Sequence, residues 1–173
     1  MNGHPGGPEH TAHMLDLAAL PAGARVLDMG AGAGEALSLM RERGLSAEGI
    51  DLQPRSSLVR QGNMHCTGEA DAVYDAVFSQ CAFWCSGDPD AACREAWRVL
   101  KPGGLLIMSD VFFAEPVFPG FTVLREEDLT TLWREYYLEA LWREETEPVC
   151  LPRGRCTYRI VLARKEQTAN GSV

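Results

Sequence analysis

The sequence lacks a long hydrophobic run: nothing in it approaches the roughly 20 apolar residues of a membrane-crossing helix, so no membrane span is expected. Basic residues are scarce, with 16 Lys and Arg against 24 Asp and Glu and a net charge of −8. A phosphate backbone needs a basic face, so this balance argues against nucleic acid as the main partner. The N-terminus has neither a basic segment nor an apolar one behind it, and no secretory leader is expected. No internal repeat and no low-complexity segment is found. The six cysteines (Cys66, Cys81, Cys85, Cys93, Cys150, Cys156) do not have the spacing of a disulfide framework, which predicts free thiols in a reducing, cytoplasmic setting. What is present is ordinary globular composition, 46% apolar and 23% charged over 173 residues, enough for one domain with a sizeable core.

The organising stretch is Arg25 to Glu35. Val26, Leu27 and Met29 read as a short buried strand that carries Asp28 and breaks into Gly30-x-Gly32-x-Gly34. A helix over about 34–43 follows, stopped by Gly44. A strand that enters a glycine turn and then a helix is the opening unit of a doubly wound sheet, and its glycines let a ligand lie against bare backbone near a helix N-terminus. Around it, residues 1–10 are expected to be an irregular, flexible arm, 11–20 a short helix laid over the edge of the site, and 44–51 a second strand ending in Asp51. Pro54 is placed at the start of a further helix with Leu58 and Val59 inward, and residues 62–66 as the end of a third strand and its loop. Residues 74–79 form a central strand. Asp88 caps a helix that stops at Lys101-Pro-Gly-Gly104, and Leu105 to Met108 is the next strand. A helix over 126–137 and an antiparallel hairpin of 141–147 with 156–163 complete the domain, taken as 11–164, and 165–173 is a mobile tail. The alternation implies a mostly parallel sheet of about seven strands with right-handed crossovers, closed by that C-terminal hairpin.

Three details narrow what the glycine turn binds. The spacing is Gly-x-Gly-x-Gly with Asp28 two residues ahead, whereas the nicotinamide fingerprint spaces its last two glycines more widely and does not call for that carboxylate. Asp51 stands at a strand end, where a carboxylate can accept from both hydroxyls of a ribose. Arg98 to Gly104 then leads into a strand in a context that dinucleotide enzymes do not share.

With these residues the chain resembles the class I S-adenosylmethionine-dependent methyltransferases of the small-molecule type (methyltransferase domain 11, like the quinone-biosynthesis and arsenite enzymes). Val26 to Gly34 resembles the family's first motif, Gly49-Ile-Asp51 its second, Tyr74 to Ser79 its fourth, and Glu95 to Met108 is the most specific match. The resemblance covers about 11–164 and implies a Rossmann-like fold, S-adenosyl-L-methionine as cofactor and S-adenosyl-L-homocysteine as product. It implies that Gly30, Gly32 and Gly34 admit the cofactor to the backbone and that Asp28 fixes its ammonium group. By the same token Asp51 takes the ribose hydroxyls, Leu52 packs near the adenine, Asn63 accepts from the adenine amino group, Met64 covers the ring, and Gln80 and Cys81 line the path of the methyl. Asp28 and Asp51 also read as a turn cap and a solvated strand end.

Methyl transfer from a sulfonium mainly requires an acceptor atom held in line behind the methyl in a dry pocket, with a base only where the acceptor must lose a proton. The catalytic residue is therefore not fixed by the cofactor motifs; His65 and Cys81 are the candidates. Phe83 and Trp84 are expected to wall an acceptor site, or to be core. His65 is otherwise a solvated loop residue. His4, His10 and His13 fold over the pocket as a lid or lie on the surface. Cys81 and Cys85 with Cys66 are either a cluster for a soft atom or buried structural thiols. No metal is expected. With little room for a cap in 111–124, the acceptor would be recognised by the N-terminal arm, by Phe112, Phe113, Phe118 and Phe121, or by a second subunit in a homodimer or partner complex. A non-catalytic adenosylmethionine-binding subunit is the alternative function.

Overall fold

A computed structural model describes residues 4–143 and 156–167. Helix α1 (Gly7–Ala18) leads into β1 (Arg25–Met29), α2 (Glu35–Glu42), β2 (Ser46–Asp51), the short β3 (Arg60–Gln61) and β4 (Tyr74–Gln80). A 3-10 turn (Trp84–Ser86), α3 (Pro89–Val99), β5 (Leu100–Phe112), β6 (Phe121–Asp128), α4 (Thr130–Trp142) and β7 (Thr157–Lys165) follow. The strands form one sheet in the order β3-β2-β1-β4-β5-β7-β6. Strands β1 to β5 pair in parallel, and β7 runs antiparallel to both β5 and β6. This is the mostly parallel, seven-stranded, Rossmann-like sheet the sequence predicts.

Strand β1 is buried from Val26 to Met29 because helices cover both faces of the sheet. One apolar layer packs Ala92, Ala96 and Val99 of α3 on Leu27, Leu106 and Val161. The other packs Met14 and Leu15 of α1 and Leu37 and Met40 of α2 on Val26, Phe78 and Ile107. Asp88 starts α3 as expected, accepting the Ala91 N–H at 2.9 Å with Pro89 in the first turn. The direction of strand succession reverses at β1, whose neighbours are β2 and β4, so a crevice opens at the C-terminal ends of these strands.

Several expectations are corrected. Helix α1 begins at Gly7, within the stretch read as an irregular arm, because Pro8 suits a first helical turn. No helix follows Pro54. Residues 52–58 instead spend their donors on the glycine turn, Arg55 N–H on Gly32 O at 2.9 Å and Ser56 Oγ on Ala33 O at 2.7 Å. The helix expected from 126 begins at Thr130, and β6 precedes it. Its charged, exposed edge character and a bulge between Val123 and Arg125 hide the strand alternation. Among the described residues β7 pairs antiparallel with β5 and β6; of the expected partner 141–147, Leu141 and Trp142 belong to α4, and 144–147 lie outside the described residues. At the other end Lys165 is no tail residue. It closes β7, and its Nζ donates to the carbonyls of Trp97 and Leu100, each at 2.7 Å.

Candidate functional site

The crevice is a cavity of about 620 Å³ built from strand ends. Its walls include Asp28, Gly30, Gly32, Asp51, Leu52, Asn63, Met64, His65, Gln80 and Cys81, so residues spread over more than fifty positions meet around one space. Gly34 is the exception. It is the left-handed cap of α2, packed on Val59, Leu58 and Leu37, and does not line the cavity.

The glycine turn is held open by geometry. Gly30 has φ +90°, and a Cβ there would stand 2.3 Å from the Ala82 Cβ; at Gly32, φ is +54° and a Cβ would meet the Arg55 guanidinium at 2.6 Å. Side chains at these positions would fill the cradle and collide with its far wall. Asp51 fixes the turn from below: one carboxylate oxygen accepts the Gly32 N–H at 2.9 Å and the other the Gln53 N–H at 2.8 Å. An ionised carboxylate offers about four lone-pair sites, so acceptor capacity remains toward the cavity. Asp28 is 3% exposed, and burial, then the charge of Asp51, pushes its carboxyl up to about 8. Desolvation disfavours the charged form, and a cation brought beside it would restore that form.

Across the cavity, Asn63 closes a local turn by accepting the His65 N–H at 2.8 Å, and the Met64 methyl lies over Gly30. The Nε2 of His65 is buried without a hydrogen-bond partner among the described residues, a costly state for a polar atom unless a ligand supplies one. Gln80 accepts from Thr11 Oγ1 at 3.0 Å and approaches His4 and Met14. Helix α1 thereby reaches over the end of β4, at the edge of the site as the sequence predicts, although the individual contacts are not disclosed by it.

Cys81 holds a left-handed backbone (φ +52°), unusual for a side chain with a Cβ and common at functional strand ends. Its thiol lies 3.5 Å from the buried Tyr158 hydroxyl, which donates to Ser109 Oγ at 3.1 Å and lies 3.2 Å from His10 Nε2. Burial pushes the Cys81 thiol up to about 12 and, with the neighbouring His4 and His13, lowers His10 to about 4. The histidines therefore part company: His4 lines the cavity, His10 is buried behind it, and His13 pairs with Glu127 at 2.7 Å. The soft-atom cluster does not assemble. Cys81 and Cys85 line the cavity but Cys66 is exposed and off its wall, and no group of three metal-binding side chains occurs among the described residues. Phe83 and Trp84 line a different cavity, so the acceptor wall expected of them is not part of this one.

A doubly wound sheet in this order, with a glycine cradle, a buried aspartate and a strand-end aspartate around one cavity, has the architecture of a nucleotide-binding α/β fold. Residues 27–108 match the model described as methyltransferase domain. The chain is 33% identical over 141 residues to demethylmenaquinone methyltransferase of Corynebacterium urealyticum, covering 77% of this chain and 56% of that one. It is 38% identical over 93 residues to malonyl-[acyl-carrier protein] O-methyltransferase 1 of Coxiella burnetii, covering 50% and 33%. Among solved structures it superposes on the [4+2]-cyclase SpnF with a TM-score of 0.73 at 20% identity, covering 92% of this chain and 80% of the other. A Geobacter sulfurreducens SAM-dependent methyltransferase in complex with S-adenosylhomocysteine gives 0.67 at 17%, covering 94% and 93%. Together these matches support a class I S-adenosylmethionine-dependent methyltransferase, with the methyltransferase domain matched over residues 27–108. It spans about half or less of the length of most curated relatives it matches, and no described helix is long and apolar enough to cross a membrane.

Proposed function

We propose that the chain binds S-adenosyl-L-methionine in the 620 Å³ cavity and transfers its methyl group to a small-molecule acceptor. The observation that carries this reading is the convergence of Asp28, the Gly30–Gly32 cradle, Asp51 and Gln80 on one wall. The residues fit the cofactor on their own chemistry: a cradle that any Cβ would fill, a buried carboxyl whose charged form a cation would restore, and an orphaned imidazole nitrogen.

When bound, the cofactor supplies an electrophilic methyl on a sulfonium. Gly30 and Gly32 would let its amino-acid and ribose parts approach the backbone, and Asp28 would hold its ammonium. Asp51 would accept from the ribose hydroxyls while keeping the glycine turn in place. Asn63, Met64 and Leu52 would surround the adenine, with Leu52 folding down from its exposed position. Gln80 and Cys81 stand at the end of β4 beside Asp28's strand and would line the methyl's path; the high thiol pKa makes Cys81 a neutral wall rather than a nucleophile. His65 is the better group to take an acceptor proton, because its buried Nε2 has no competing partner among the described residues.

The test is calorimetric titration of the full chain with S-adenosylmethionine, S-adenosylhomocysteine and NADH, repeated on Asp51→Ala. Both adenosyl ligands are expected to bind, NADH not to, and the substitution to weaken adenosyl binding about tenfold or more, from one lost charged hydrogen-bond pair and a released turn. A folded chain that binds neither adenosyl ligand would refute the proposal.

A further inference from the structure

The space that Phe83 and Trp84 do face is a second cavity of about 340 Å³, between the first turn of α3, the C-terminal end of β5 and the connection 113–120. Its origin lies in the topology. Strands β5 and β6 run parallel, since each is antiparallel to β7. Strands of one sheet that run in the same direction, here on either side of β7, need a crossover connection, usually a helix that packs on the sheet. Here only the aromatic, proline-containing residues 113–120 make the return, and a hollow stays where a helix would sit.

The walls of this hollow have a definite electrostatic sign. The rings of Trp84 and Phe113 lie 4.4 Å apart, and those of Phe112 and Phe118 meet edge to face at 6.3 Å. Asp110 is 3% exposed in the wall, its two oxygens accepting the N–H groups of Trp84 at 3.0 Å and Val111 at 2.8 Å. Asp90 adds a second carboxylate, and the third on the wall, Glu115, is tied to Arg159 at 3.0 Å. Among the described residues, no Lys, Arg or His lines the cavity. The positive N-terminal end of α3 already has Asp88 as its cap and Asp90 in its first turn.

Aromatic faces and carboxylates both attract cations and both repel anions. A metal ion fits poorly, because among the described residues no three His, Cys, Asp or Glu side chains come together to hold one and the rings add no oxygen ligands to replace its water. A weakly hydrated organic cation meets both demands, with its charge between Asp110 and the Trp84 face and its apolar body against the phenylalanines. The volume also lies in the range of small-ligand sites. We infer that this second cavity binds a small organic ammonium ion carrying an apolar body. The site is separate from the adenosyl cavity, although the turn Trp84–Ser86 is shared: Trp84 faces one cavity and Cys85 and Ser86 the other.

The test is titration of the full chain, followed by calorimetry and tryptophan fluorescence, with benzyltrimethylammonium, its neutral carbon analogue neopentylbenzene, and phenylacetate. The cation is expected to bind saturably, about tenfold or more tighter than the neutral analogue, and phenylacetate not to bind. Asp110→Asn should reduce the preference for the cation over the neutral analogue about tenfold. Because Asp110 also holds backbone N–H groups, Phe113→Leu serves as the second variant and should weaken the cation several-fold while leaving the circular dichroism spectrum unchanged. Equal affinity for cation and neutral analogue, tighter binding of the anion, absence of any binding, or an unchanged cation affinity in a folded Phe113→Leu protein would each overturn the inference. None of these readouts depends on methyl transfer or on adenosyl binding.

Discussion

Asp28→Asn should stabilise the ligand-free fold at neutral pH while damaging the site it belongs to. The Asp28 carboxyl titrates near 3.8 in an unfolded chain and is pushed up to about 8 in the fold by burial and by Asp51. A folded carboxyl with a raised pKa binds its proton more tightly than the unfolded one, so its favourable contribution is complete below the unfolded value and is lost as pH climbs toward about 8. Two other buried groups titrate nearby but finish earlier. Asp110 is raised to about 6, and His10 is lowered to about 4 against 6.5 unfolded. Between about pH 6.5 and 8 the slope therefore belongs mainly to Asp28, at roughly 1.4 kcal/mol per pH unit, or about 2 kcal/mol across that window. Urea unfolding midpoints of the wild-type chain should fall over this range, and those of Asp28→Asn should stay nearly level. The new amide must find a partner in the same buried space, an offset of about 1–2 kcal/mol that reduces the variant's gain at neutral pH without reversing it. Adenosyl ligands should bind the variant at least about tenfold more weakly, since an amide cannot hold an ammonium by charge. Parallel pH slopes in the two proteins would refute the burial argument, and unaltered adenosyl affinity would refute the ammonium role.

Gly30→Ala should be among the most damaging small substitutions in the chain. The new methyl would lie 2.3 Å from the Ala82 Cβ at a backbone φ of +90°, and both faults together should lower stability by about 2–4 kcal/mol. A thermal melt reads the loss, and adenosyl binding should disappear even below the melting temperature; a melt within about 2 °C of wild type would contradict the steric argument. Glu95→Gln probes the motif with the most specific resemblance. Glu95 accepts from the Thr67 N–H and hydroxyl, both at 2.7 Å, and from Arg98 at 2.7 and 2.9 Å, and these bonds hold its carboxyl down at about 2. Its contribution is present above pH 4.5 and lost as pH falls toward about 2, so Glu95→Gln should cost about 1–3 kcal/mol at about pH 7 and little at about pH 2.5, read from urea midpoints. A similar loss at both pH values would point to packing instead.

The parts of this molecule legible in the sequence are those where a local pattern has one physical solution. Buried parallel strands such as Val26 to Met29 are nearly continuous apolar runs, glycines with positive φ sit where a turn must open, and Asp88-Pro89 can hardly do other than start a helix. Those features suffice to put Asp28, the cradle and Asp51 at strand ends, and strand ends in this topology converge on one crevice. The stretches that mislead are those whose hydrogen bonds are decided by distant backbone. Pro54 looks like a helix start until the Gly32 and Ala33 carbonyls claim the donors of Arg55 and Ser56. Glu126 to Asp128 looks like the start of a helix until β7 offers the stretch an edge to pair with.

The same distinction explains why the far wall of the cavity is hidden in the sequence while the near wall is not. The near wall follows chain order, because each strand of a parallel sheet delivers its C-terminal residue to the same side. The far wall has no such rule: Thr11 meets Gln80 across 69 positions, and His10 meets Tyr158 across 148. The pairing depends on α1 docking against β5 and β7 beside the end of β4, a tertiary choice made by Met14 and Leu15 seeking the apolar face beside Phe78 and Ile160. On the proposed function, the cofactor contacts are thus written into strand endings, whereas the wall opposite depends on how α1 docks. Changes in α1 would therefore reshape the wall at Gln80 while leaving the glycine cradle unchanged. Thr11, which also meets His4, and Met14 are the α1 positions where such a change would first be felt at Gln80.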